Sequence, residues 1–418
     1  MKNNLEKIKL ENGLTIYLYQ DMRRHSTFFQ IVTLFGGLTK DFVFNNNTYH
    51  MQDGIAHILE HYVVEHNIKG NFIKLLGEKQ MNTNASTHLN MTRYYFEAVE
   101  DVEYGIESML TGIYNVNFNN ENLMKIKGPI FQEIKGRMNN KFYYLNKENF
   151  NNLFTNIDFK SIGGSIEDVE KTTLDDIELC YNAFYHPNNQ FIVIAGNFDK
   201  KKILSYIENF YNKLNFPEND LKVLKVKENK GITKNESTIY FPTGMDYVEV
   251  SYKIDLSDFS NRERLDLDFY NSFFYNMFFG ITSDTYKKLV QEKIISGSIS
   301  YSCQFIHNYM LISLGAYTEY KNDFINEITN TINNLNSFNE ELFEIDKKRI
   351  ILDIILRDES LLHTILPFVD NIVSFDYPYL DTVDDIKNFS FDGFVNFIKK
   401  LDFSNYTIIT IKDKNKKN

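Results

Sequence analysis

The chain has 418 residues, carries a formal net charge of −11 and is 43% hydrophobic. A chain of this length exceeds what one hydrophobic core usually serves, so we expect two domains of about 200 residues. The hydrophobic content excludes general disorder. The acidic balance argues against nucleic acid as the main partner, because phosphate binding requires a basic face.

Two further features bear on the compartment. Cys180 and Cys303 lie far apart in sequence, and we expect both to be reduced structural thiols. Residues 1–7 lack the apolar core of a secretory signal. No run of apolar residues reaches the roughly 18 that a membrane span requires. We therefore expect a cytoplasmic protein without a membrane span.

The first half of the chain alternates between strands and helices. Residues 5–20 alternate in hydrophobicity and turn at Glu11-Asn12-Gly13, which predicts a β-hairpin. Apolar residues that recur every three or four positions predict helices. The further elements predicted here are strands at 28–35, 91–99 and 190–195, and helices at 54–66, 71–76, 102–114, 119–140, 174–185 and 200–214.

Residues 217–236 are polar and charged, which is typical of an interdomain linker and places one domain at 1–216 and another at 237–418. The elements predicted in the second domain are strands at 238–241, 247–254, 298–305, 310–316 and 406–411, and helices at 262–279, 285–292, 322–335, 340–357 and 385–400.

The two halves share a pattern. Phe118-Asn119-Asn120-Glu121 opens a long helix, as Phe338-Asn339-Glu340-Glu341 does, and both halves end with a helix, an Asn and an apolar strand. We therefore predict an α+β fold of two repeated domains, each an antiparallel sheet with helices packed on one face.

The helix predicted over residues 54–66 carries a metal-binding pattern. His57 and His61 are four residues apart, so both imidazoles leave one face of the helix and can bind one divalent metal. Glu60 lies on nearly the same face and can reach a water at the metal without being a ligand. This H-x-x-E-H order inverts the commoner H-E-x-x-H. Coincidence on a core helix is the alternative, but unpartnered buried ionisable groups are costly and a metal supplies the partner. The helix at 262–279 of the second half contains no His, so we expect the metal in the first half only.

A catalytic zinc requires three protein ligands and one open position. Glu133 is the candidate for the third ligand, because it lies three residues after Ile130 and four before Arg137, at the edge of an apolar stripe. Pairing of Glu133 with a Lys or Arg at that edge is the alternative.

These residues together resemble the insulinase/pitrilysin family of inverted-zincin metallopeptidases, with closest similarity to short bacterial members related to mitochondrial processing peptidase. The resemblance rests on the H-x-x-E-H motif entered by Gly54-Ile55-Ala56, and on Ile130-Phe131-Gln132-Glu133-Ile134. It also rests on Asn84-Ala85-Ser86-Thr87 and on the run from Tyr181 to Gly196. It is good over residues 5–215 and weak over 235–418.

The resemblance implies that His57, His61 and Glu133 hold Zn²⁺ and that Glu60 is the general base. It further implies that Asn84 and Ala85 lie on an edge strand to which a peptide substrate adds as an extra strand. Family members close a chamber from two two-domain halves, so this chain would be one half of a clamshell peptidase.

Two departures from the family pattern lie on the helix of Glu133. A second Glu usually stands seven residues before the ligand, and this chain has Ile126 there, which would weaken the support of the zinc site. Pro129, four residues before Glu133, is expected to kink or restart the helix.

The second half shows another departure. Family members carry an Arg and a Tyr opposite the zinc that hold the substrate carbonyl and the developing oxyanion. Residues 284–299 contain no Arg, and Ser298 or Ser300 stands where the Tyr is expected, with Tyr301 close by. We therefore expect a heterodimer with a related second chain that supplies the pair. The alternative is that Lys287 or Lys288 substitutes together with Tyr301.

The expected function is that of a zinc metalloendopeptidase acting on short or unfolded peptides. One alternative is a protease dedicated to the leader or precursor of one ribosomally made peptide. Another is a non-catalytic scaffold subunit, against which the presence of all four motif positions argues.

Overall fold

The structure, a computed structural model, describes residues 5–157, 162–380 and 382–414. By their internal contacts these residues divide into two compact units. The first comprises the described residues of 1–137, 160–225 and 358–369, and the second those of 138–159, 226–357 and 370–418. One change of unit, between residues 225 and 226, lies inside the stretch predicted as a linker. The contiguous domain bounds derived from the sequence stay a prediction.

The bounds of the elements are as follows. The strands are β1 (Leu5–Lys9), β2 (Thr15–Gln20), β3 (Thr27–Thr33), β4 (Asp41–Phe44), β5 (Asn47–His50), β6 (Asn82–Thr87), β7 (Thr92–Ala98), β8 (Gln190–Gly196), β9 (Lys222–Val223), β10 (Glu236–Phe241), β11 (Tyr247–Asp255), β12 (Ser296–Ile306), β13 (Tyr309–Tyr317) and β14 (Tyr406–Asp413). The helices are α1 (Ile55–Glu65), α2 (Phe72–Glu78), α3 (Val102–Tyr114), α4 (Asn120–Met138), α5 (Lys141–Leu153), α6 (Ile166–Lys171), α7 (Leu174–Phe184), α8 (Lys200–Tyr211), α9 (Asn261–Phe278), α10 (Asp284–Gln291), α11 (Lys321–Asn333), α12 (Glu340–Arg357), α13 (Leu361–Phe375), α14 (Val383–Lys387) and α15 (Phe391–Lys399).

The main sheet of the first unit has the strand order β1-β2-β8-β3-β7-β6. The central strands β3 and β8 are buried at every position, in agreement with their largely apolar sequences. The polar strand β6 lies at the edge and pairs only with β7. Its sequence, NTNAST, leaves an exposed edge without large apolar side chains.

The core of the first unit lies between this sheet and its helices. Apolar residues of α1, α3, α4 and α7 form one buried cluster with the inner sides of β2, β3 and β8. The predicted hairpin at the start of the chain is confirmed, since β1 and β2 pair antiparallel from Leu5–Tyr19 to Lys9–Thr15.

The second unit repeats this layout. Its sheet has the order β10-β14-β11-β13-β12, which matches β2-β8-β3-β7-β6 strand for strand. The helix α9 follows β11 as α1 follows β3. The predicted α+β fold with two repeated sheets is therefore confirmed.

Each of these two main sheets nevertheless contains one parallel pair, β2 with β8 and β10 with β14. The last strand of each half inserts between two strands that run in opposite directions, so it can be antiparallel to only one of them. The second unit also has a helix on the second face of its sheet, where Leu145 of α5 packs with Tyr247, Ile409 and Ile411. The prediction that helices pack on only one face of each sheet is therefore wrong for the second unit.

The helix of Glu133 does not restart at Pro129, while a kink at this residue stays a prediction. α4 runs without interruption from Asn120 to Met138. Proline cannot donate to the carbonyl of Lys125, but both residues are exposed, so water can satisfy that oxygen. Among the described residues, no helix is both long and apolar enough to cross a membrane.

Candidate metal centre

The helix α1 places its two histidines at the margin of the core. It begins after Gly54, which has a φ of +80° and so occupies a conformation that glycine adopts without strain. Ile58, Tyr62 and other apolar residues of α1 are buried against the sheet. His57 and His61 lie beside this apolar face, and their side chains are 13% and 18% exposed.

The helix α4 brings Glu133 to the same place. Ile126, Ile130 and Ile134 are buried at intervals of four residues, which holds one face of α4 on the core. Glu133 lies at the border of that face and is 45% exposed. The carboxylate is therefore near the core and still open on one side.

The three candidate ligands converge. One ligand atom from each of His57, His61 and Glu133 lies within 4.8 Å of the others. Glu133 Oε2 is 3.4 Å from His57 Nε2, and Glu133 Oε1 is 3.5 Å from His61 Nε2. Ligand atoms about 2.1 Å from a tetrahedral zinc lie about 3.4 Å apart, so this donor set fits zinc.

The two histidines differ in their electrostatics. Burial, followed by the charges of His61 and Arg137, lowers the pKa of His57 to about 3, so this imidazole is neutral and its Nε2 can bind a metal. Burial also lowers the pKa of His61, but the carboxylates of Glu65, Glu60 and Glu133 outweigh this effect and the net shift is upward. Glu65 Oε1 lies 3.6 Å from His61 Nδ1, on the side of the ring away from the cluster.

Glu60 is buried on the metal helix and is held by the edge strand. Its Oε2 accepts a hydrogen bond of 2.6 Å from Thr87 Oγ1, and Thr87 in turn lies 3.3 Å from the hydroxyl of Thr92. Burial raises the pKa of Glu60, and the Thr87 hydrogen bond opposes that shift. Glu60 thus has a fixed orientation and an increased affinity for a proton.

The predicted peptide-binding residues lie on β6, the strand that ends at Thr87. Asn84 is exposed and Ala85 is half-buried. The amide of Ala85 donates to Asn84 Oδ1 over 2.9 Å. The strand β6 therefore carries both the residues proposed to bind the peptide and Thr87, which binds Glu60.

The structure does not bring every sequence candidate to the cluster. Two other glutamates of the first half that could be considered as third ligand lie elsewhere: Glu97 accepts a hydrogen bond of 2.6 Å from Ser26, and Glu107 accepts one of 3.2 Å from Tyr206. Among the described residues, His57, His61 and Glu133 form the one group of three or more possible metal ligands. Sequence reasoning did not assign roles to Thr87 or Glu65. Glu65 could have been found from its position four residues after His61.

Comparisons with known proteins find similarity to zinc proteases. The family profile described as "Peptidase M16 inactive domain" matches residues 171–350, a range that does not include α1 or Glu133. The chain is 25% identical over 336 residues to "Uncharacterized zinc protease YmfH" of Bacillus subtilis, covering 79% of this chain and 78% of that protein.

Solved structures show the same fold. A putative M16-like peptidase from Alicyclobacillus acidocaldarius superposes with a TM-score of 0.87 at 22% identity, over 97% of both chains. Pitrilysin superposes with a TM-score of 0.73 at 16% identity, over 99% of this chain and 45% of pitrilysin. This chain therefore spans about half the length of pitrilysin.

The fold and the relatives define a protein of the zinc-protease-like class. The resemblance derived from the motifs is confirmed: part of the chain matches an M16 family profile, and the chain is similar to zinc proteases and to M16-like peptidases that include pitrilysin.

Proposed function

We propose that this chain is a zinc-dependent metalloendopeptidase that hydrolyses short or unfolded peptides. The observation that carries the proposal is the convergence of His57, His61 and Glu133 at the separations expected for one tetrahedral zinc ion. Glu60 beside this cluster provides the base that a peptidase requires.

The roles of the residues follow from their placement. His57, His61 and Glu133 would hold the ion. Zinc, when bound, supplies Lewis-acid chemistry, acidifying a water molecule and polarising the carbonyl of the substrate. Glu60 would take the proton from the attacking water and deliver it to the leaving amine. Thr87 would keep the Glu60 carboxylate directed at that water.

The peptide would bind along β6. An exposed edge strand can add a further strand through backbone hydrogen bonds, which accept many sequences as long as the peptide is extended. Asn84 and Ala85 lie in the middle of β6 and would pair with the residues around the scissile bond. This mode of binding favours short or unfolded peptides, because a folded protein seldom offers a free strand.

We further propose that the active species is a pair with a related second chain that supplies an Arg and a Tyr for the oxyanion. The residues of this chain that could substitute for the Arg and the Tyr contact other side chains. Lys288 binds Glu327 at 2.5 Å, and Lys287 lies 3.8 Å from Asp284. Tyr301 donates to Asn271 and stacks on Tyr275.

The experiment is a cleavage assay with a matched inactive variant. The chain is loaded with zinc, its metal content is measured by elemental analysis, and it is incubated with a peptide mixture whose cuts are read by mass spectrometry. The assay is run with the chain alone and with a related second chain that lacks H-x-x-E-H and carries the Arg–Tyr pair. Glu60→Gln serves as the control, because it leaves the ligands intact.

The outcomes separate the candidate functions. Cuts in many peptides that disappear in Glu60→Gln support a general endopeptidase. A single cut in one precursor peptide would instead indicate a dedicated processing protease. Stoichiometric zinc without cleavage under either condition would contradict a peptidase, and absence of zinc would leave the scaffold role.

A further inference from the structure

Arg137 lies beside the proposed third ligand. It follows Glu133 by four residues on α4, so both side chains emerge on the same side of the helix. Arg137 Nη2 is 3.9 Å from Glu133 Oε2. Nη2 is also buried and has no hydrogen-bond partner among the described residues. Hydrogen bonding by Nη2 therefore does not explain where this end of the guanidinium lies.

The guanidinium packs closely against a glycine. A Cβ added at Gly163 would lie 2.1 Å from Arg137 Nη2 and 2.8 Å from its Cζ, so any other residue at 163 would displace the side chain. Gly163 does not have a positive φ, so a side chain at this position would act by moving the end of the Arg137 side chain and not by straining the backbone.

The same loop touches the start of the histidine helix. A Cβ added at Gly54 would lie 2.6 Å from the carbonyl carbon of Gly163. A Cβ at Gly164, which has a φ of +69°, would lie 2.5 Å from the carbonyl oxygen of Asp53. The backbone of this loop thus packs against the backbone at the N-terminus of α1. His57 lies three residues after Gly54. Gly163 and Gly164 therefore contact both helices that carry the candidate ligands.

We propose that Arg137 is a positioning residue for the metal centre: fixed against Gly163, it holds the Glu133 carboxylate towards His57 and His61. The inference rests on the proposed zinc site. Glu133 is 45% exposed, and an exposed glutamate loses rotamer freedom when it binds a metal. A cation fixed beside the carboxylate restricts that freedom before the metal arrives.

Support of Glu133 by Arg137 matters because the second glutamate expected on α4 is missing. The position seven residues before Glu133, where relatives were expected to carry a second glutamate, is the fully buried Ile126. His57 Nδ1 is also buried without a partner among the described residues. Groups that orient metal ligands typically contribute about 10–100-fold in affinity, so Arg137 would compensate on the Glu133 side.

The positive charge of Arg137 by itself would weaken zinc binding, because a cation close to the site repels a divalent metal. If repulsion were the only effect of Arg137, Arg137→Met would bind zinc more tightly than wild type. Positioning predicts weaker binding. The sign of the change in zinc affinity therefore separates the two effects.

The experiment measures zinc affinity by competition with a chromophoric chelator at one pH, for wild type, Arg137→Met, Gly163→Ala and Lys135→Met. Lys135 is exposed on the same helix, so its variant removes an equal charge without touching Gly163. We expect Arg137→Met and Gly163→Ala each to weaken zinc binding about 10–100-fold, with Lys135→Met close to wild type. The double variant Arg137→Met/Gly163→Ala should bind no more weakly than Arg137→Met alone, because both act through one contact.

Two additional measurements exclude a folding defect. Thermal melts of the metal-free variants should match wild type, and the visible spectrum of the Co²⁺-substituted protein should change in Arg137→Met, because the arrangement of Glu133 changes. Unchanged or tighter zinc binding by Arg137→Met would overturn the inference while leaving the zinc site intact. A wild-type chain that binds no zinc would overturn the proposed function and this inference together.

Discussion

Thr87 Oγ1 donates a 2.6 Å hydrogen bond to Glu60 Oε2 and thereby links the edge strand β6 to the metal helix α1. The residue proposed as general base is thus oriented by the strand proposed to bind the peptide. A peptide that adds to β6 would also order the strand that holds Glu60. Binding and proton transfer would then depend on one another.

The first prediction concerns this hydrogen bond. Thr87→Val removes a donor that stabilises the ionised carboxylate, while the burial that raises the pKa of Glu60 remains. The pKa of Glu60 should rise further. Since a general base must be ionised, the acidic limb of the pH profile of kcat/KM should move to higher pH at saturating zinc.

Thr87→Ser is the matched control, because it keeps a hydroxyl at the same position and should leave the acidic limb near its wild-type pH. A Thr87→Val profile that loses height without shifting along the pH axis would contradict the assigned role of this hydrogen bond.

The second prediction concerns the third ligand. Glu133→Gln replaces a charged donor by a neutral amide and should lower zinc affinity strongly, since only two protein ligands would remain effective. Metal content after dialysis against a dilute chelator measures this. Glu97→Gln is the control, because Glu97 binds Ser26 away from the cluster. Equal zinc retention in the two variants would mean that the third ligand is not Glu133.

The third prediction concerns activity of the chain alone. A zinc-loaded chain without a partner should cleave peptides slowly or not at all, because we propose that a second chain supplies the oxyanion donors, and such donors are typically worth about 3–4 kcal/mol. Addition of the related second chain should raise kcat by about 100-fold or more. Size-exclusion chromatography would show the pair. Robust turnover by the isolated chain would refute the need for a partner.

The fourth prediction concerns a buried ion pair in the second unit. Lys253 is 0% exposed and donates to Glu228 Oε1 at 3.0 Å, while Glu228 is 3% exposed. Glu228 also accepts from the amides of Thr155, Asn156 and Ile157. Glu228→Gln places an amide group against these donors and removes the counter-ion, and should lower the free energy of unfolding by about 3–5 kcal/mol.

The pH dependence of this effect has a definite sign. Burial alone would raise the pKa of Glu228, but the amides of Thr155 and Asn156 and the ammonium of Lys253 outweigh burial and hold the pKa below its usual value of 4.5. The stabilisation is therefore present above pH 4.5 and is lost as the pH falls through the lower pKa of the folded state. Denaturant titrations should show the difference in stability between wild type and Glu228→Gln narrowing as the pH falls below 4.5. A constant difference between them down to the lowest pH would contradict this account.

The helix α5 illustrates where sequence reasoning did not reach. Residues 141–153 are rich in Asn, which favours turns over helix interiors, and no helix was predicted there. The helix begins because the Asn140 side chain caps it by accepting from the Phe142 amide. It is held by Leu145, which packs with Tyr247 and Ile409. Tertiary packing therefore stabilises a helix that the intrinsic helix propensity of its residues does not favour.

The sequence by itself determined the local part of the metal site. On a helix, a spacing of four residues places His57 and His61 on one face, and the apolar residues between them decide which face meets the core. The same periodicity predicted Glu133 at the border of the apolar stripe of α4. The matching order of elements in the two halves predicted the repeated fold.

Only the tertiary structure decided which distant side chains complete the site. Thr87 meets Glu60, and Arg137 meets Gly163, through the packing of a strand, two helices and a loop that lie far apart in sequence. Residue spacing determines geometry only within one helix or strand, where the backbone repeat is regular. Contacts between elements depend on how those elements pack, and side-chain volume and the burial of the core determine that packing.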